Sequence, residues 1–362
     1  VHPLKFENFN GRVHYENDHL NVEDFHGKLG KSIFNTSLSY YLGDNVELRK
    51  KDNHFTLTAS RLDIDQIIKH NPQTSTKIEE TKVDHDDVFN IYELPFTDMT
   101  YHLDIDHLNY HRYLMHNIKG EFRTTPEHYI HLDKLDLDAA GGHFDVKGYV
   151  NGSNPNLIYF SPDINVTDID LDKLLFKFEN FGQDHIVSEN LHGKFTGRVT
   201  GKIHMHTDMV PKIDDSEIHL DAHVLNGRLE NYGLLDYMTD YFQDKNLKNV
   251  VFDTLDNHMD LTNGILNIPT MSINSSLGHL EISGKQSLEG EMEYYLRIPW
   301  KMITQTASSK LYGKKEKSTS LQEDEIQYGD AKTKYVNIRI VGDTDDYKLS
   351  LGKPKKKKKD KS

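Results

Sequence analysis

Between Glu291 and Trp300 the chain reads E-M-E-Y-Y-L-R-I-P-W. In an extended backbone Met292, Tyr294, Leu296, Ile298 and Trp300 then point to one side, and Glu291, Glu293 and Arg297 to the other. A period of two predicts a half-buried β-strand. The pattern recurs from Glu217 to Val224, where Ile218, Leu220, Ala222 and Val224 alternate with Glu217, His219, Asp221 and His223. It returns at Phe55, Leu57 and Ala59, at Tyr101, Leu103 and Ile105, and at Val336, Ile338 and Ile340. A chain with one apolar face on each of many strands must close it into a barrel or sandwich, or leave it open to something apolar. Periodicity by itself favours a sandwich core.

Helices supply little cover. Spacing of i, i+3, i+4 is strong only at Leu234, Leu235, Met238, Tyr241 and Phe242, with weaker candidates at Asp63–His70, Asp170–Phe178 and Trp300–Leu311. The rest has room for roughly fifteen to twenty strands of ordinary length. Apolar residues make up 36% of the 362, low for a chain this long, yet the alternation is ordered and aromatics reach 10%. A sheet wet on one face accounts for both, and a disordered chain for neither.

The net charge of −14 is unevenly spread: seven lysines and one aspartate from Lys353 to Lys361 give that end +6, leaving −20 on the rest. An acidic body excludes a nucleic-acid face as the main business of the chain, and the Lys run reads as a solvated tail. Polar breaks fall at Asn71–Val88 and Ser308–Lys334. With no cysteine there is no disulfide frame, zinc–thiolate site or thiol nucleophile.

One internal repeat stands out, at an offset of 136 residues. Leu135, Leu137, Gly142, Phe144, Val146 and Gly148 align with Met271, Ile273, Gly278, Leu280, Ile282 and Gly284. Each copy predicts a strand, a small-residue turn with glycine where positive φ is allowed, and a returning strand.

Chemistry is harder to find. Twenty-two histidines include His102, His107, His111 and His116 and the pairs His204/His206 and His219/His223, but none has metalloenzyme spacing, so no metal is expected. The pairs Asp104/Asp106 and Asp136/Asp138 fall on the wet side of alternating strands, where nothing isolates one carboxyl in an apolar pocket as glycoside hydrolysis requires. No G-x-S-x-G, P-loop or dinucleotide fingerprint occurs. The residues predict no catalytic site and no cofactor.

From Ser188 onward the chain resembles the C-terminal region of AsmA-like bacterial envelope proteins of the Bacteroidetes type. The resemblance rests on N-L-H-G-K-F-T-G from Asn190, A-H-V-L-N-G-R-L from Ala222, and V-F-D-T-L-D-N-H-M-D-L-T-N-G-I-L-N-I-P-T-M from Val251. S-L-G-H-L-E-I-S-G from Ser276 and Y-Y-L-R-I-P-W from Tyr294 follow in order. It implies a mainly β fold: a long curved antiparallel meander forming an open groove, with a few short capping helices. Residues 1–183 would be the N-terminal part of the groove, 184–352 the family's C-terminal region and 353–362 the tail. The function implied is non-enzymatic: a periplasmic protein, held in the inner membrane by an anchor this chain lacks, that binds phospholipid and helps move it toward the outer membrane. The groove floor is expected to be Ile218, Leu220, Ala222, Val224, Met292, Tyr294, Leu296 and Ile298. The alternative is a structural or assembly-factor module whose sheet edge pairs with an outer-membrane or other envelope protein.

Overall fold

The computed structural model describes residues 4–67, 90–110, 113–177, 188–232, 246–300, 326, 328–329, 332–343 and 346–352. The first strands are β1 (Phe6–Glu16), β2 (His19–Leu29), β3 (Ser32–Tyr41), β4 (His54–Asp63), β5 (Met99–Tyr110), β6 (Tyr113–Thr124), β7 (Tyr129–Ala139), β8 (Gly142–Asn151) and β9 (Ile158–Asp170). They are followed by β10 (Leu191–Met205), β11 (Pro211–Glu230), β12 (Asn249–Thr262), β13 (Ile265–Ser275), β14 (Gly278–Ser287), β15 (Met292–Pro299), β16 (Tyr335–Gly342) and β17 (Tyr347–Leu351). Together they form a single 17-stranded sheet, not closed into a barrel, and the chain is 70% strand and 8% helix. The mainly β expectation holds.

Consecutive strands pair along the chain, antiparallel from β1 to β4, from β5 to β9 and from β11 to β17. Among the described pairs one breaks the meander: β4 and β5 run parallel, Leu57 opposite Leu103. A parallel step needs a crossover rather than a hairpin, and residues 64–98 provide its length. Asn53 fastens this region. Fully buried at 1% exposure, it donates from Nδ2 to the Asp98 carbonyl at 2.9 Å and accepts at Oδ1 from the Tyr41 amide at 2.6 Å.

The helices are short. α1 (Val46–Asp52) starts on the Asn45 side chain, which accepts from the amides of Glu47 and Leu48, and carries Arg49, Lys50 and Lys51 in its last turn. No helical spacing in the sequence announces it. α2 (Ile64–Ile67) and α3 (Leu171–Lys177) fall inside the weak candidates at Asp63–His70 and Asp170–Phe178. The candidates at Leu234–Phe242 and 301–311, the break at 71–88, most of 308–334 and the Lys tail lie outside the described residues. No helix among the described residues is long and apolar enough to cross a membrane.

The repeat is real in the backbone. Leu135 pairs with Val146 and Leu137 with Phe144 in one hairpin; Met271 pairs with Ile282 and Ile273 with Leu280 in the other. Each copy has a bulge at the equivalent place, between Leu132 and Leu135 and between Ile268 and Met271. The likeness extends to a cross-strand bond: His143 Nδ1 meets Asp138 Oδ1 at 2.9 Å, and His279 Nδ1 meets Asn274 Oδ1 at 2.7 Å. The turns differ. In the first copy positive φ falls on Ala140 and Gly141, in the second on Gly278.

The chain divides into two compact units, residues 1–167 with 199–213, and 168–198 with 214–362. β9, β10 and β11 contribute residues to both.

Candidate functional site

Cross-strand partners share a face of a sheet, so register shows where the expected floor residues lie in the second unit. Ile218, Leu220 and Val224 on β11 stand opposite Leu261, Met259 and Leu255 on β12. Leu261 pairs with Leu266 on β13, whose Met271 pairs with Ile282 on β14. Ile282 then pairs with Leu296 on β15, and Leu296 with Ile338 on β16. All eight residues therefore lie on one face.

Their surroundings are not alike. Met292, Tyr294 and Ile298 are 5%, 8% and 2% exposed, and they join Val336, Ile338 and Ile340, at 1–2%, in one apolar cluster. Leu280, Ile282, Leu296 and Trp300 pack against that cluster. Burial pushes the Tyr294 hydroxyl well above the usual tyrosine range, and the hydroxyl donates to Gln286 Oε1 at 2.5 Å. On β11 Ala222 and Val224 are buried, while Ile218 and Leu220 are only half-buried.

The first unit carries a half-covered apolar face of its own, which holds none of the expected floor residues. One register row runs Thr36, Leu57, Leu103, Gly120, Leu135, Val146, Ile164 across β3 to β9. The next holds Phe55, Tyr101, Phe122 and Leu132. Tyr101 and Phe122 stack with ring centres 4.4 Å apart and planes 6° apart. At the heart of this face Ala59, Ile105 and Ile118 are buried beneath neighbours that are themselves half-buried: Phe34, Leu57, Leu108, Met115, Leu135 and Leu137. Alternation in Phe55–Ala59 and Tyr101–Ile105 was the available signal, and it named the face without its exposure.

The opposite face is polar and internally paired. Asp104 stands across from Lys119, and Lys119 across from Asp136. Arg123 grips Asp133 through two bonds of 2.6 and 2.8 Å, which hold the Asp133 carboxyl below the usual range. Asp138 accepts from Asn117 and from His143 and is likewise lowered. Asp133 and Asp138 are thus engaged as acceptors on a hydrated surface. His107 and His116 face each other across β5 and β6, rings edge to face at 5.0 Å, while His111 lies outside the described residues. No protein-family model, curated protein or solved structure matches the chain.

A wide sheet face of Leu, Phe and Val side chains left half in water gains about 0.8 kcal/mol for each CH2 removed from water against it.

Proposed function

We propose that the chain is a non-enzymatic lipid-binding protein that takes phospholipid acyl chains onto its apolar sheet faces and helps move lipid between the membranes of a bacterial envelope. The observation that carries this reading is the half-buried apolar face spanning β3 to β9 on a sheet that is not closed into a barrel. Six strand spacings of ~4.8 Å make the face roughly 29 Å across. One leaflet of hydrocarbon is about half of a ~30 Å bilayer core, so an acyl chain lying across the strands fits within it. The resemblance of residues 190–300 to AsmA-like proteins points the same way and supplies the periplasmic setting.

Native mass spectrometry of the purified chain, before and after incubation with phospholipid vesicles, tests the proposal. Bound phospholipid is the expected result. A chain that stays lipid-free in both conditions overturns it and leaves the edge-pairing assembly role as the stronger reading.

A further inference from the structure

Across β11 and β12 the polar face alternates in two directions. His219, Asp221 and His223 stand opposite Asp260, His258 and Asp256, so every histidine faces an aspartate. Within this lattice the donor atoms of His219, His258 and Asp260 all lie within 4.8 Å of one another. Asp260 Oδ1 is the shared corner, 2.6 Å from His219 Nδ1 and 3.4 Å from His258 Nε2.

The other nitrogen of each ring is engaged as well. His258 Nδ1 lies 2.6 Å from Asp221 Oδ1, and His219 Nε2 lies 3.5 Å from Glu217 Oε1. A neutral imidazole has one N–H and one lone pair. When the outer nitrogen donates to its outer carboxylate, the inner lone pair of each ring is left aimed at Asp260. Two lone pairs and a carboxylate oxygen converging on one point is the donor set of a cation, and a carboxylate behind each imidazole is the arrangement that orients metal-bound histidines. The two rings are nearly parallel, 7° apart with centres 6.4 Å apart, and all three side chains are part exposed, at 39%, 55% and 37%. They are therefore free to close on an ion. Ligand bonds of 2.0–2.2 Å in a tetrahedral shell set donors about 3.4 Å apart, which small torsional changes of such side chains can reach.

We propose that His219 Nδ1, His258 Nε2 and Asp260 form a three-ligand site for a borderline divalent transition ion, zinc above all, with Glu217 and Asp221 as positioning carboxylates. Two imidazoles and one carboxylate suit zinc rather than magnesium or calcium, which prefer all-oxygen shells. Three protein ligands leave a position for water or for a donor from another molecule. The ion ties β11 to β12 on the face opposite Leu220 and Met259. The site is independent of the lipid reading. Along one strand the sequence pairs His219 with His223; only the register brings in His258 and Asp260.

Equilibrium dialysis of the full chain against micromolar ZnCl2 at pH 7.5, with metal counted by atomic emission, tests it. Because other histidines bind zinc weakly, the decisive quantity is the difference between variants that remain folded by circular dichroism. His258→Gln and Asp260→Asn are each expected to remove one tightly held zinc, and Asp221→Asn to weaken it roughly 10- to 100-fold. His107→Gln, at the facing His107/His116 pair, is expected to leave it unchanged. Wild-type zinc retained in both His258→Gln and Asp260→Asn, or the same loss in His107→Gln, overturns the site. A wild-type chain that holds no zinc at micromolar concentration overturns it as well.

Discussion

The apolar row on β15 and β16 and the apolar row on β4 to β7 have the same alternation and similar residue types, yet they are different materials. On β16 Val336, Ile338 and Ile340 are closed over to 1–2% exposure. On β5 to β7 Leu103, Phe122 and Leu135 stay half-buried, interleaved with the buried Met99, Ile105 and Ile118. Alternation therefore tells which side of a strand is apolar, and what lies above that side tells whether it is core or contact surface.

The sharpest way to break this contrast is a carboxylate on each row. Ile338→Asp places a charge without a partner inside the closed cluster, and the expected cost is about 4 kcal/mol or more, comparable to the stability of a whole domain. Loss of a cooperative thermal transition is the expected readout, and a folded variant with near-normal melting would mean that the cluster is open. Leu296→Asp should be milder, about 2–3 kcal/mol, because Leu296 packs against the same cluster while half-buried. Leu103→Asp, on the open face, should cost only about 1 kcal/mol because its carboxylate can reach water. In that variant lipid binding measured by native mass spectrometry should fail while the fold survives. Equal destabilisation by Ile338→Asp and Leu103→Asp would erase the distinction between the two rows.

Smaller effects sharpen the opposite face. Arg123→Ala removes the two-bonded contact with Asp133, but with the side chains 52% and 41% exposed the expected loss is only about 0.5 kcal/mol by chemical denaturation. The same variant should raise the Asp133 titration toward the ordinary carboxylate range, because the Arg123 hydrogen bonds are what lower it.

The smallest effect is a pH dependence at α1. His19 Nε2 meets Asp52 Oδ2 at 2.9 Å and its Nδ1 meets the Asn17 carbonyl at 2.8 Å, and these contacts, Asp52 first, raise the imidazole above its usual value. A raised histidine stabilises fully below its unfolded value of about 6.5, and the contribution fades as pH climbs through the folded value. Melting temperature should therefore slip slightly on going from pH 6 to pH 8, and Asp52→Asn should reduce the slope by the share that His19 supplies. A His19 NMR titration that is unmoved by Asp52→Asn would show the pair to be idle.

The elements differed in legibility for physical reasons. β15 and β16 were plain because period two survives in any antiparallel pairing. The 135–148 and 271–284 hairpins were plain because their apolar residues and glycines repeat, although the shared bulges were not. Bulges elsewhere sit on Asp24 and Asn117, both in the left-handed region at φ 49° and 52° in mid-strand. Asn and Asp tolerate that region better than other non-glycine residues, so an Asx interrupting a strand was an unread signal. α1 was missed because seven residues show too little periodicity, and its stability rests on the Asn45 cap. Of the candidate site, the identity of the apolar faces was legible, whereas the burial of Met292, Tyr294 and Ile298 and the half-burial of Leu103 and Leu135 were not.

By itself the sequence determined that this protein is a largely one-sided sheet, because alternation is a property of neighbours along the chain and needs no knowledge of partners. Only the tertiary structure decided that β4 and β5 run parallel, that Val336, Ile338 and Ile340 are closed over while Leu103 and Phe122 are only half-buried, and that His219 meets His258 and Asp260. Each of these is a relation between residues some tens of positions apart, set by register and by what packs above a face, and no local pattern encodes it.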